Sequence, residues 1–129
     1  MDLTNPIDSS KGMPPGLFTD SFTSLGEQLQ QQFPGAKIVK TFNTMWCGLM
    51  VNPRMIQEDH NVFIGGNDAE AKAKVKELLK SFGWRENEIM DLGDISTSRG
   101  TEMYLPLWLR MFFAQGQNGA FNVKVVKAG

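Results

Sequence analysis

Lys37-Ile38-Val39-Lys40-Thr41-Phe42-Asn43-Thr44 is the stretch on which the fold of this 129-residue chain turns. Ile38, Val39 and Thr41 are β-branched and Phe42 is aromatic. Such side chains fit a pleated, half-buried surface, so residues 37 to 42 read as a strand. The strand closes on two small polar residues, Asn43 and Thr44.

Upstream lies a helix pattern. Ser24 with Glu27 three residues later forms a capping box, and Phe22, Leu25, Leu29 and Phe33 recur at helical spacing, which predicts one apolar face. Pro34-Gly35 stops that helix and feeds the strand after a very short turn, as in an α/β unit. Residues 8 to 21 (Asp-Ser-Ser-Lys-Gly-Met-Pro-Pro-Gly and on) read as a surface loop. Before them, Met1 to Pro6 reads as the end of another strand entering an Asn-Pro turn.

Downstream, Met45 to Val51 suggests a short helix ended by Asn52-Pro53. Asn61 to Gly66 (Asn-Val-Phe-Ile-Gly-Gly) has the pattern of a buried strand. The clearest helix follows, with Asn67 as the expected cap and Ala71, Val75, Leu78, Leu79 and Phe82 on one face. Its other face, with Lys72, Lys76, Glu77 and Lys80, reads as solvated. Glu88 to Gly93 is a further short strand. A helix over about Thr101 to Ala114 is apolar nearly all round, bends at Pro106 and should be buried or meet a partner. Phe121 to Val126 alternates as an edge strand would. The order of elements predicts an α/β layer architecture in one domain, residues 1 to 129.

Apolar content of 41% and charge of 21% place the chain among globular proteins. A net charge of -1 gives no electrostatic reason to expect nucleic acid. One cysteine, Cys47, excludes an intramolecular disulfide, and a reducing, cytoplasmic setting is expected. No run is long enough to span a bilayer, so no membrane partner is expected.

In open α/β sheets, ligands bind beyond the carboxyl ends of the strands. That rule selects Thr4, Asn5 and Pro6 at one strand end and Asn43 and Thr44 at another. Short polar side chains there can bond a ribose or a carboxamide; alternatively, they merely close turns. His60 reads as a surface residue rather than a ligand or base, Cys47 as core, and Arg99 as a solvated arginine rather than an anion contact. No glycine-rich phosphate motif, metal site or catalytic acid-base cluster is evident.

Four pieces in register, Asp2-Leu-Thr-Asn-Pro6, Lys40-Thr-Phe-Asn-Thr44, Val62-Phe-Ile-Gly-Gly-Asn-Asp-Ala-Glu-Ala-Lys-Ala73 and Phe82-Gly-Trp84, resemble the second half of NADP-dependent oxidoreductases related to the coenzyme F-420-dependent NADP reductases. The resemblance covers nearly the whole chain. It implies a partial Rossmann-like, NAD(P)-binding three-layer sandwich, with a mixed sheet flanked by helices and without the first βαβ half. It further implies NADP as cofactor, a deazaflavin or flavin as co-substrate, and hydride transfer that needs no protein acid or base. By position, Thr4, Asn5, Pro6, Asn43 and Thr44 would border the nicotinamide.

The glycine-rich pyrophosphate turn of that family is not found, so weak or absent NADP binding is expected of this chain alone. A sheet cut beside Lys37 to Phe42 would leave a bare edge. That edge and the apolar helix after Thr101 predict a homo-oligomer, and a non-catalytic association module is the alternative to an enzyme. A third alternative is a fragment with no function of its own.

Overall fold

The structure, a computed structural model, describes residues 1–129. A small hairpin of β1 (Ile7–Asp8) and β2 (Gly16–Leu17) is followed by α1 (Leu25–Gln32), β3 (Val39–Thr41), α2 (Cys47–Val51) and β4 (Val62–Gly66). Then come α3 (Ala69–Ser81), β5 (Ile89–Asp91), α4 (Ser98–Met103) and α5 (Leu105–Ala114). Single 3-10 turns stand at Pro53–Met55, Glu86–Glu88 and Ile95–Thr97.

β3, β4 and β5 form a mixed sheet in that order, antiparallel between β3 and β4 and parallel between β4 and β5. Lys40 faces Gly65 across the first pair, and Phe63 faces Met90 across the second. Side chains alternate between the two faces. On one face Val39, Val62 and Ile64 pack with Leu49 of α2 and with Val75, Leu79 and Trp84 in and after α3. On the other, Gly65 lies under the Ile95–Thr97 turn, where a Cβ would come within 2.1 Å of Thr97 Oγ1. Only glycine permits that close approach. The result is the expected sheet flanked by helices.

Leu49, Val62, Ile64 and Leu79 are wholly or almost wholly buried. Each such side chain contributes about 1.5–3 kcal/mol through burial. Truncating Leu79 to alanine would cost about 2–5 kcal/mol once the cavity is included.

The edge of β3 is not bare. Asp2 forms a parallel bridge to Lys40: its N–H donates to Val39 O at 2.8 Å and its carbonyl accepts from Thr41 N–H at 3.1 Å. Asp2 therefore covers the edge at Val39 to Thr41, which corrects the expected free edge there, and the expected strand over Met1 to Pro6 reduces to this single bridge. The segment 8 to 21 is likewise not wholly a loop, since part of it pairs as β1 and β2.

Three helical expectations shift. Ser24 caps α1 as the capping box requires, accepting from Glu27 N–H at 3.1 Å. Yet Phe22 is 81% exposed and Phe33 is exposed, because α1 docks by its first turn, with Gly26 against Ser98, rather than along an apolar stripe. For α3 the cap is Asp68, accepting from Ala71 N–H at 2.7 Å, while Asn67 accepts from Ile95 N–H at 3.0 Å. The apolar stretch near the C-terminus divides at Tyr104 into α4 and α5, because Pro106 has no N–H to continue the ladder.

α5 buries Leu105 but leaves Leu107 and Phe113 exposed. The lysines of α3 are ion-paired: Lys72 and Lys76 lie 3.1 and 3.8 Å from Asp91. No helix is long and apolar enough to cross a membrane. Phe121 to Val126 is not a strand; Asn61 intercepts its backbone groups instead, as described below.

Candidate functional site

The two polar segments singled out in the sequence meet, although Thr4 to Pro6 follows an isolated bridge at Asp2 and not a strand. Asn5 Nδ2 donates to Asn43 O at 2.8 Å, and Asn43 Nδ2 donates to Asn5 Oδ1 at 3.1 Å. Thr4 is exposed, and its hydroxyl and N–H both donate to Asp2 Oδ1. Pro6 is buried and its carbonyl accepts from Phe18 N–H in the hairpin. Asn43 and Thr44 are buried as residues.

Phe42 sets this geometry. Its φ is +66°, the left-handed region that a bulky residue rarely occupies. Burial of the ring in the core, 6.3 Å from the Phe82 ring, holds it there. The reversal ends β3 and turns Asn43 toward Asn5 and Thr44 toward a cleft. That cleft, about 230 Å³, is lined by Thr44, Phe63, Leu92, Thr101, Tyr104 and Val123, with Gly100 at its edge. It lies on the sheet face covered by α4. Burial pushes the Tyr104 phenol above its ordinary pKa, so the hydroxyl stays protonated, and it has no partner in the chain.

Behind the site lies a buried charge cluster. Lys40 is 2% exposed, and its ammonium contacts Asp2 Oδ2 at 3.0 Å, Glu102 Oε1 at 2.8 Å and the Thr4 carbonyl. Glu102 also accepts from the N–H groups of Leu25 and Gly26 at 2.8 and 3.0 Å, the first two of α1. A carboxylate there meets the positive end of the helix dipole and satisfies two orphan donors. Burial alone would raise the Asp2 pKa, but bonds from Thr4 and Lys40 outweigh it and hold the group below its ordinary value. The cluster ties the Thr4-Asn5 turn to β3, α1 and α4.

Three other sequence readings change. His60 is buried, 3% exposed, edge-on to Trp84 at 4.9 Å, because the chain from Pro53 and the C-terminal segment close over it. Cys47 is exposed, since Leu49 and not Cys47 faces the sheet from the short α2. Arg99 is neither free nor an anion contact; it grips Glu27, with NH2 to Oε1 at 2.7 Å and Nε to Oε2 at 3.0 Å.

Sequence reading missed Lys40, Glu102 and Tyr104 as parts of the site. One signal existed for Lys40: a charge between Val39 and Thr41 in a strand must be paired if the strand is buried. Nothing local marks Glu102. No group of histidine, cysteine or carboxylate side chains could hold a metal ion.

No family model matches the sequence. Among solved structures, an Arthrobacter sp. FB24 protein described as a "putative f420 dependent nadp-reductase" is 52% identical and superposes with a TM-score of 0.92. The match covers 98% of this chain and 56% of that one. A hypothetical protein from Sinorhizobium meliloti is 28% identical, with a TM-score of 0.50, over 75% of this chain and 45% of its own length. The chain thus spans about half the length of the proteins it resembles.

Proposed function

Because the chain belongs to the family of NADP-dependent oxidoreductases related to the F-420-dependent NADP reductases, we propose that it forms the nicotinamide side of a hydride-transfer site with a deazaflavin or flavin acceptor. The observation that carries this reading is the mutual hydrogen-bonding of Asn5 and Asn43 beside Thr44, which stands on the wall of an apolar cleft.

A nicotinamide presents a flat ring and one carboxamide, and these residues fit it. Thr44, on the cleft wall, and Asn43 beside it would be the residues to hold the carboxamide. Asn5 holds Asn43 in place from the neighbouring polar segment, with Thr4 and Pro6 completing that turn. Phe63, Leu92, Val123 and the Tyr104 ring would exclude water from the nicotinamide. When bound, NADP supplies the hydride chemistry, so no side chain need act as acid or base.

The diphosphate end does not fit these residues. Lys40 is consumed by Asp2 and Glu102, Arg99 by Glu27 and Lys72 by Asp91. With these cations engaged, weak NADP binding is expected of this chain alone. The test is titration with NADPH, followed by fluorescence of Trp46, Trp84 and Trp108. Saturation near millimolar cofactor is expected, weakened about fivefold by Thr44→Val, the worth of one hydrogen bond. No response at millimolar cofactor removes this reading for the isolated chain.

A second reading is an association module. It rests on the exposed Met103, Leu107 and Phe113 of α4 and α5. A second copy packed there gives a dimer mass by light scattering; a monomer at micromolar concentration dismisses it.

A further inference from the structure

Residues 118 to 129 adopt no helix or strand, yet 119 to 125 are tied down. Asn61 N–H donates to Val123 O at 2.9 Å, and Asn61 Oδ1 accepts from Val125 N–H at 2.7 Å. Phe121 stacks on Trp108 with ring centroids 5.4 Å apart. Gly119 lies so close to Trp46 that a Cβ would sit 3.0 Å from Cγ of the indole. Val123 then forms one wall of the cleft that Thr44 borders. The segment is a strap across the site.

His60 is the pivot of this strap. Its Nε2 lies 2.9 Å from Pro53 O. A carbonyl can only accept, so Nε2 carries the proton. Asn122 Nδ2 lies 2.9 Å from Asn61 O and 2.8 Å from His60 Nδ1. Asn61 O can only accept as well, so the amide must present its NH2 there, and its second hydrogen meets Nδ1. With the strap docked, Nδ1 is an acceptor and the ring is neutral.

A proton added at Nδ1 would aim two donors at each other. Turning the amide over would instead set Asn122 Oδ1 against Asn61 O. Neither orientation keeps both bonds. The charged groups around the ring offer no other partner to Nδ1. Glu88 accepts from the His60 backbone N–H and is gripped by Arg54, and Asp59 is held by Arg85. Glu58 and Lys124 line the adjoining surface clefts.

We propose that residues 119 to 125 are an acid-released strap, docked over the cleft while His60 is neutral and let go when Nδ1 takes up a proton. Its effect on ligand access rests on the cleft's role proposed above; the release itself does not.

The chain has one histidine, so a single imidazole resonance reports the ring. The experiment follows that resonance, amide exchange at Asn61 and Val125, and tryptophan fluorescence from pH 8 to pH 5, without ligand. The expected result is a common midpoint for all three signals, exchange protection at Val125 falling about tenfold, and unchanged far-ultraviolet circular dichroism. His60→Gln, which can still donate to Pro53 O and accept from Asn122, should keep the strap docked and abolish the pH response. The proposal is overturned if the imidazole titrates while Val125 protection stays constant. It is equally overturned if the strap signals still move in His60→Gln, which would assign the effect to Glu58, Asp59 or Glu88. Strap release without any change in NADPH affinity would leave the switch standing and remove only the cleft's role.

Discussion

Lys40 of β3 places its ammonium 2.8 Å from a carboxylate oxygen of Glu102 in α4, with both side chains almost wholly buried. The pair joins α4, and through Glu102 the start of α1, to the strand that leads into Asn43. Its worth is less in net attraction than in the cost of breaking it, since an unpaired buried charge is far more expensive than a paired one.

Lys40→Met should therefore lower unfolding stability by about 3–5 kcal/mol, because Asp2 and Glu102 would face each other without a counter-charge. Adding Glu102→Gln should cost less in the Lys40→Met background than in the wild type. Urea denaturation of the four proteins in the cycle measures the coupling; strict additivity would show that the pair does not interact.

Gly65→Ala should destabilise by about 1–3 kcal/mol through overpacking. The new methyl would lie 2.1 Å from Thr97 Oγ1 and 3.1 Å from Asp94 O. Adding Thr97→Ala should relieve only part of this, since the Asp94 backbone oxygen remains. Gly35→Ala, with open space at its Cβ, should fall within about 0.5 kcal/mol of the wild type in the same thermal melts.

Asp68→Ala should cost about 1 kcal/mol by removing the cap of α3. Asn67→Ala should leave the helix content from circular dichroism unchanged, because that side chain serves Ile95 and not the helix. The reverse ranking would restore Asn67 as the cap.

Acid should unfold the protein by a defined route. Burial favours the neutral form of Glu88, but Arg54 and the Arg85 N–H outweigh it; Asp2 is held low by Thr4 and Lys40, and Glu27 by Arg99. Each folded-state pKa lies below the unfolded one. The sign is therefore that of stability fully present above the ordinary values of 4.5 and 3.8 and lost as pH falls through the lowered ones. Unfolding free energy measured against pH should hold level above about pH 5 on account of these groups and drop below about pH 4. In Arg54→Met the loss contributed by Glu88 should disappear, at a lower starting stability.

Much of the layer plan was legible because it rests on local chemistry. Ser24 with Glu27, the β-branched run at Val39 and the apolar period around Val75 and Leu79 each act within a few residues, and each formed the element expected. That Asn5 and Asn43 bond each other was not legible, because their contact spans 38 residues of chain. The C-terminal alternation at Phe121 to Val126 misled because alternation records only which side chains are apolar. Whether a neighbouring strand exists to pair with that segment is a tertiary matter, and here Asn61 supplies the partners instead.

By itself the sequence determined the central run from α1 through β5 and the resemblance that the superposition bears out. Only the tertiary structure decided the pairings that span long stretches of chain. Lys40 with Asp2 and Glu102, His60 with Asn122, and Arg99 with Glu27 are fixed by how the elements pack, and no short-range pattern encodes the partner of a buried charge. That is why Lys37 to Thr44 could be read as a strand at once, while the lysine at its centre could be understood only after α4 had been laid over it.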